Sequence, residues 1–357
     1  MIMETPYENP STPSHTTDAS RYALVELHLH VDGSLSAEDV MLMAKEEGVD
    51  VPSTTKEVYD LLSCPEDCKD LNRYLKCFSL PLSVMQMPST IAYSVESLVK
   101  RLDEMQLLYA EIRFAPQQHV EKGLSQDEVV RAAIDGLKSG LSGCVNGFKA
   151  NLILSCMRGR GNETENMETV HLGEKYLGDG VCGIDLAGAE ALYPTEDFRE
   201  LFEHAHAIGV PFTIHSGEAA GVESMRHAID FGTRRIGHGI RSHDNEEMKA
   251  LLKAKDVCLT LCPTSNLQTR ALKGVTLLED YPLPSFLNSG VSINIATDNM
   301  TVSNTTLRKE IQRLFDAGIL TTTGAEAIVE SAISHSFISE KEKEELRRKA
   351  EKRMKMV

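Results

Sequence analysis

The sequence of 357 residues predicts an α/β protein of the (β/α)8 TIM-barrel class, with a helical insertion after the first strand. Two observations support this prediction. Short apolar runs that end in a polar residue recur along the chain, and segments with helical periodicity separate them. This alternation is typical of parallel βαβ units, and a series of eight such units forms a closed barrel.

Eight segments have the composition of buried strands. They are residues 23–30, 109–115, 150–156, 182–188, 210–216, 234–239, 256–262 and 291–297. Helices are predicted between them: one follows Ser125, which suits a helix cap before an acidic first turn, and another ends at Gly209. Residues 36–106 form the predicted helical insertion.

Composition indicates where the N-terminal tail ends and the folded domain begins. Residues 1–20 are rich in Pro, Ser and Thr and are expected to be a mobile tail, which leaves residues 21–357 as a single barrel domain. The tail lacks the basic and apolar regions of a secretory signal, and no apolar run approaches the roughly 18 residues of a membrane span.

The eight cysteines lack disulfide-framework spacing, so reduced thiols and a cytoplasmic location are expected.

The charge of the chain excludes some classes of partner. Hydrophobic residues make up 41% of the sequence and charged residues 25%, which allows a sizeable core. The formal net charge of −16 argues against nucleic acid or an acidic membrane surface as a partner. A small-molecule ligand is therefore expected.

The stretch VELHLHVDGS places His28 and His30 two positions apart at the end of the first strand, so both imidazoles face one side. Taken alone, this pair also fits an ordinary half-exposed strand. His215 and Asp298, however, stand at the ends of the fifth and eighth strands, at the same rim of the barrel. Three histidines and one carboxylate suit a zinc ion with room for water. The fourth strand, GIDLAGAE, offers no lysine to bridge two metals, so one metal ion is expected.

Two further polar residues fall at this rim. Glu218 follows His215 by three residues, where a carboxylate near a metal can act as a general acid or base. The alternative is a glutamate in the first turn of the next helix, favoured there by the helix dipole. His238 lies between two glycines, which suits either a turn or the close approach of a ligand.

Patterns that are missing from the sequence exclude other metal enzymes. The sequence contains no HExxH motif, which excludes the helical zinc proteases. It also lacks the HxE and PCxxC pair of the cytidine-type zinc deaminases. Arg158 and Arg160, in MRGRG, are the nearest approach to a phosphate-binding cluster, and they are weak evidence for one.

Several motifs in one order carry a resemblance to a known family. They are ELHLHVDGS, GIDLAGAE, HSGE, RIGHG, LCPTSN and TDN, and they extend from about residue 24 towards the end of the chain. With these motifs the sequence closely resembles the adenosine deaminase family, a zinc-dependent branch of the amidohydrolase-like barrels. The resemblance implies a hydrolase of purine salvage that converts adenosine, and 2′-deoxyadenosine, to the inosine product and ammonia, with one zinc ion per chain.

The resemblance also assigns roles to individual residues. It makes His28, His30, His215 and Asp298 the zinc ligands, Glu218 the acid and base, and His238 the residue that orients the attacking water. On the substrate side it implies a contact by His30, a ribose contact by Asp32 and a backbone N–H from Gly188 to purine N3. Leu71, Tyr74, Leu75 and Phe78 align with the family's apolar lid over the purine, although their spacing fits any buried helix.

One position departs from the family pattern. Many members have a second Asp and then a Pro after the metal-binding Asp, where this chain has Asn299 and Met300. Purine N7 is a hydrogen-bond acceptor, and an amide always offers a donor. Asn299 is therefore predicted to donate its NH2 group to N7; the alternative is that it caps the following turn.

Other functions remain open at this point. An adenine, AMP or modified-adenosine deaminase would share the barrel and the metal. Asp32 favours a nucleoside over the free base, and the absence of a basic cluster in the sequence disfavours AMP. A non-catalytic zinc-containing binding protein would have no need of Glu218 and His238.

Overall fold

The structure is a computed structural model that describes residues 18–65, 68 and 71–355, without the side chains of Leu71 and Asn72. The mobile tail expected for residues 1–20 lies outside the described residues except at its end. There, Asp18 caps a short 3-10 turn, and the N–H of Ala19 donates to the side chain of Gln312 at 2.9 Å. The folded part therefore begins before the expected boundary at residue 21.

Eight parallel strands form the centre of the described chain. They are β1 Val25–His30, β2 Tyr109–Phe114, β3 Lys149–Met157, β4 Val181–Ala187, β5 Ile214–Ser216, β6 Arg235–His238, β7 Cys258–Leu261 and β8 Ile293–Ile295. Each corresponds to one of the predicted strands, with differences at the ends. Strands β1 to β4 pair in sequence order, and so do β5 to β8.

Hydrogen bonds at two seams join these sets of four strands. Between β1 and the chain after β8, the N–H of His30 donates to the carbonyl of Asp298 at 2.8 Å. Between β4 and the chain before β5, the N–H of Thr213 donates to the carbonyl of Ile184 at 3.0 Å. The strand before residue 214 pairs through a single bridge at Phe212, so β5 is shorter than predicted. The eight strands thus form the predicted barrel.

Helices surround the strands and form the predicted insertion. They are α1 Ala37–Glu47, α2 Thr55–Leu62, α3 Leu71–Lys76, α4 Ser79–Ser83, α5 Pro88–Glu104, α6 Gln126–Ser142, α7 Glu163–Lys175, α8 Arg199–Ala207, α9 Val222–Asp230, α10 Glu246–Ala254, α11 Pro263–Gln268, α12 Leu283–Ser289, α13 Leu307–Asp316, α14 Thr322–Ser334 and α15 Glu340–Lys355. The insertion between β1 and β2 contains α1 to α5. Within the described residues, none of the helices has the length and apolar character needed to cross a membrane.

Local sequence signals account for the helix boundaries. Ser125 and Glu128 exchange hydrogen bonds at the start of α6, because each side chain accepts from the other residue's backbone N–H, at 3.3 and 2.9 Å. Gly209, with φ of 76°, follows the end of α8 in the left-handed conformation that favours glycine. These are the cap and the stop that the sequence predicted.

The C-terminal rim of the barrel holds unusual backbone as well as unusual side chains. His238 ends β6 and Asp298 follows β8, and their φ angles are 63° and 61°. Residues other than glycine seldom adopt this left-handed region, and proteins retain such strain mainly at functional sites. Of the six described non-glycine residues with positive φ, these two are among the candidate residues that the sequence placed at this rim.

Candidate active site and metal centre

Imidazole and carboxylate groups from four strands meet at the C-terminal rim. Among the described residues, one group of candidate metal ligands has all of its ligand atoms within 4.8 Å of one another: His28, His215, His238 and Asp298. His30 lies beside this group, because its Nε2 is 3.2 Å from Nε2 of His215 and 3.4 Å from Oδ1 of Asp298. The structure thus brings together the histidines and the aspartate that the sequence singled out.

The protonation state of the cluster suits a cation. His28 is 0% exposed, and neither of its ring nitrogens has a hydrogen-bond partner among the described residues. Burial, followed by the charge of Arg113, lowers the pKa of His28 well below its usual value, and burial lowers the pKa of His30 to about 3. Both imidazoles are therefore neutral, with lone pairs available, as a nitrogen-ligated metal such as zinc requires.

A buried carboxylate orients His215. Oδ2 of Asp185, on β4, lies 3.0 Å from Nδ1 of His215, and Nη1 of Arg113 lies 3.1 Å from the same oxygen. Burial alone would raise the pKa of Asp185, but the charges of His215 and Arg113 lower it overall. An ionised Asp185 holds the proton of His215 on Nδ1 and leaves Nε2 free to bind a metal. The sequence reasoning missed this role, although an Asp within an apolar strand was a visible signal.

Neighbouring residues position Asp298 and His28. The hydroxyl of Ser265 donates to Oδ2 of Asp298 at 2.6 Å. Burial opposes ionisation of Asp298, but nearby histidines, His238 foremost, and the Ser265 hydrogen bond lower its pKa overall. A Cβ on Gly237 would lie 2.7 Å from Cε1 of His28, so this glycine of β6 makes room for the imidazole.

Glu218 and His238 face each other beside the cluster. Nε2 of His238 is 3.5 Å from Oε2 of Glu218, and the hydroxyl of Thr269 donates to Oε1 of Glu218 at 3.0 Å. Glu218 precedes α9, which begins at Val222, so it is not a first-turn glutamate of that helix. Its side chain is 24% exposed, which leaves it accessible to a substrate.

A second hydrogen-bond chain sets the tautomer of His238. Tyr281 donates to the amide oxygen of Asn266 at 2.9 Å, and Nδ2 of Asn266 lies 3.0 Å from Nδ1 of His238. An amide N–H that donates to Nδ1 places the imidazole proton on Nε2, which faces Glu218. Asn266 and Tyr281 were also missed, because their contacts join segments that are distant in the sequence.

The expected substrate contacts lie around this centre. Asp32 follows β1 and accepts from the N–H of Gly33 at 3.2 Å, and burial raises its pKa to about 6. Gly188 follows β4 with φ of 106°, a conformation that favours glycine. Asn299 is 3% exposed; its Nδ2 donates to the hydroxyl of Tyr74 at 3.0 Å, and its Oδ1 has no hydrogen-bond partner among the described residues.

The residues predicted to form the lid differ in burial and in their contacts. Tyr74 is buried, and its hydroxyl contacts Asn299, Ser303 and Ser265, at 3.0, 3.1 and 3.3 Å. Phe78 is half-buried and packs with Tyr74 against a small cluster that contains Cys64, Cys68, Cys77 and Val302. Leu75 is 55% exposed and packs against neither buried apolar cluster. The side chain of Leu71 lies outside the described residues. Tyr74 thus makes polar contacts through its hydroxyl and packs its ring in an apolar cluster.

The guanidinium of Arg158 is occupied by acceptors within the protein and is not directed at a phosphate site. Its guanidinium donates to the carbonyls of Tyr193 and His215, both at 2.7 Å, and to the hydroxyl of Thr195 at 2.9 Å. Arg158 is buried, whereas Arg160 is exposed. The two arginines of MRGRG therefore do not form a common phosphate-binding cluster.

Comparison with known proteins agrees with the motifs. The sequence model of the family described as adenosine deaminase matches residues 23–353. The chain is 46% identical, over 331 residues, to the adenosine deaminase of Haemophilus ducreyi, covering 92% of this chain and 95% of that protein. It is 36% identical over 325 residues to the adenosine deaminase of Enterococcus faecalis, covering 91% and 95%.

Solved structures agree with the fold. The adenine deaminase of Arthrobacter aurescens superposes with a TM-score of 0.84 at 24% identity, covering 94% of this chain and 99% of that one. An amidohydrolase from Burkholderia ambifaria, with bound Zn, has a TM-score of 0.84 at 19% identity, covering 95% and 92%. At these identities the likeness concerns the fold alone. On the match of the family model and the identity to its relatives, the chain belongs to the adenosine deaminase family.

Proposed function

We propose that the protein catalyses the hydrolytic deamination of adenosine and 2′-deoxyadenosine to the corresponding inosine nucleoside and ammonia. The observation that carries this proposal is the position of Glu218, which faces His238 beside a buried cluster of candidate metal ligands. Relatives named adenosine deaminase support it at up to 46% identity. The expected single domain, residues 21–357, would then contain the whole catalytic site, and contacts of Ala19 extend its folded part to the described N-terminus.

His28, His30, His215 and Asp298 would hold one zinc ion per chain. When bound, zinc lowers the pKa of water towards about 7 and so supplies a nucleophile at neutral pH. We assign His238 to a different role, although it is part of the same cluster. Its Nδ1 is bonded to Asn266 and its Nε2 faces Glu218, so its proton can orient the attacking water.

The side chains of this protein would handle the protons. Glu218 takes one proton from the attacking water and delivers it to purine N1 as the water oxygen bonds to C6, which ends the aromaticity of the ring. The same carboxylate then takes the remaining proton from that oxygen and passes it to the amino group as the C6–N bond breaks, so that adenosine and water give inosine and ammonia. Thr269 keeps Oε1 of Glu218 in place during both transfers, and Asp298 and His238 hold the water on one face of the purine.

The remaining assignments concern binding. Asp32 would contact a ribose hydroxyl, the N–H of Gly188 would donate to purine N3, and His30 would line the purine side of the site. A neutral nucleoside suits a chain of net charge −16 better than a nucleotide does, and Arg158 is engaged elsewhere. We place the reaction in the cytoplasm, where the eight cysteines would stay reduced.

A substrate panel tests the proposal. Adenosine, 2′-deoxyadenosine, adenine, AMP and methylthioadenosine are compared by ultraviolet absorbance at equal enzyme concentration. The two unmodified nucleosides are expected to have the highest kcat/KM. A higher kcat/KM for adenine, AMP or the modified nucleoside would favour the related deaminases, and no turnover of any substrate by the zinc-loaded protein would favour a binding protein.

The contact proposed for Asn299 has its own test. Its NH2 group has a second hydrogen beside the one directed at Tyr74, and that hydrogen is available for purine N7. Asn299→Ala is expected to cost about 1 to 3 kcal/mol of transition-state stabilisation with adenosine, as for a lost buried hydrogen bond. With 7-deazaadenosine, which has no N7 acceptor, the same change should cost much less. Equal losses on both substrates would mean that Asn299 acts only through local structure.

A further inference from the structure

Glu190 receives an unusual number of hydrogen bonds from one loop. It follows β4, is 4% exposed, and points to the loop between β5 and α9. Its Oε1 accepts from the N–H of Gly217 at 2.7 Å, and its Oε2 accepts from the N–H groups of Glu218, Ala219 and Ala220 at 3.1, 2.7 and 2.9 Å. A single carboxylate therefore satisfies four consecutive backbone donors.

A fifth donor completes the set. The hydroxyl of Ser224, on α9, donates to Oε1 of Glu190 at 2.6 Å. Burial opposes ionisation, but the hydrogen bonds from Ser224 and the loop amides lower the pKa of Glu190 overall. Five donors that converge on an ionised carboxylate are among the stronger arrangements that a side chain can make with a backbone.

The loop needs this external partner because its own sequence does little to fix it. Residues 217–221 read GEAAG, with glycine at both ends and small residues beside Glu218. Gly221, the N-cap residue of α9, has no side chain that could accept from a backbone N–H, so the N–H groups of residues 217–220 depend on another part of the chain. Glu190 supplies the acceptor from the end of β4.

We propose that Glu190 is a positioning residue for catalysis, which fixes the backbone of the 217–220 loop so that Glu218 faces His238 and the substrate. This inference rests on the proposed deaminase function. The metal ligand His215, three residues before Glu218, has separate support for its ring from Asp185. Loss of the Glu190 carboxylate should therefore disturb proton transfer by Glu218 more than it disturbs metal binding.

Glu190→Gln is the first variant to measure. The amide keeps the shape of the side chain but replaces one acceptor oxygen with an NH2 group, which cannot accept from the loop N–H groups. We expect kcat for adenosine to fall by about a hundredfold, as for a misplaced catalytic group, with a much smaller change in KM. Zinc content by elemental analysis should stay at the wild-type value.

A double variant separates positioning from general damage. If Glu190 acts through Glu218, adding Glu190→Gln to the Glu218→Gln variant should lower kcat by less than about twofold further. The proposal would be overturned if Glu190→Gln lowered kcat in the Glu218→Gln variant by the same factor as in the wild-type protein. If the wild-type protein itself failed to deaminate adenosine, the proposed function would fail instead, so the two failures are distinguishable.

Glu47 provides a matched control, because its hydrogen bonds go to none of the residues assigned to the site. It is also buried and accepts from two consecutive backbone N–H groups, those of Gln86 and Met87, at 2.8 and 2.9 Å. Glu47→Gln should lower the thermal midpoint and leave kcat unchanged; an equal loss of kcat would assign the Glu190 effect to stability. If Glu190→Gln does not fold, Ser224→Ala removes one of the five donors, and the same double-variant comparison decides the question.

Discussion

Replacing Glu218 by glutamine is expected to lower the turnover of adenosine by about a hundredfold or more, while zinc and substrate remain bound. Glutamine has nearly the same shape as glutamate and can still contact Thr269, but it cannot donate and recover a proton. The carboxylate lies 3.5 Å from His238 and is not among the assigned metal ligands. Its loss should therefore remove proton transfer and spare the metal centre.

Three measurements define the result: kcat by ultraviolet absorbance, zinc by elemental analysis and KM for adenosine. The matched control is Glu223→Gln, because Glu223 lies in the first turn of α9 and is exposed. If Glu218 acted only through the dipole of α9, Glu218→Gln and Glu223→Gln would both change kcat only slightly. Normal turnover in Glu218→Gln, or loss of its zinc, would contradict the role assigned to Glu218.

Periodicity and motif position were enough to predict the barrel and the candidate residues at its rim. Strand–helix alternation located all eight strands, because strands covered on both faces leave a continuous apolar signal in the sequence. The rule that chemistry collects at the C-terminal ends of barrel strands then grouped His28, His215 and Asp298. Those residues meet in the structure because the parallel strands of the barrel bring the C-terminal ends of β1, β5 and β8 to one rim.

The supporting residues were not predicted, because their roles depend on contacts between distant segments. In the sequence Asp185 is a single Asp within an apolar strand, and only the fold of β4 shows that it lies beside His215. Glu190 looks like an ordinary loop glutamate until four backbone N–H groups from residues 217–220 converge on it. The family resemblance assigned Tyr74 to an apolar lid, and neither that resemblance nor helical spacing indicates what its buried hydroxyl contacts.

Removal of the metal is expected to abolish activity and also to destabilise the fold. Without a cation, the ring nitrogens of His28 have no hydrogen-bond partner among the described residues, and the carboxylate of Asp298 is buried with the histidines. A buried polar atom without a partner costs about 1 to 3 kcal/mol. The metal-free protein should therefore have a lower thermal midpoint as well as no turnover.

Elemental analysis of the purified protein should give about one zinc per chain, and dialysis against a chelator should remove it. Activity and thermal midpoint should fall together and return together when zinc is added, because the four proposed ligands would serve both catalysis and folding. Chelator saturated with zinc beforehand is the control, and it should have no effect. Two tightly bound metal ions per chain, or full activity after complete removal of metal, would contradict the single-zinc centre. A loss of activity with no change in thermal midpoint would instead mean that the metal serves catalysis and contributes nothing to the stability of the fold.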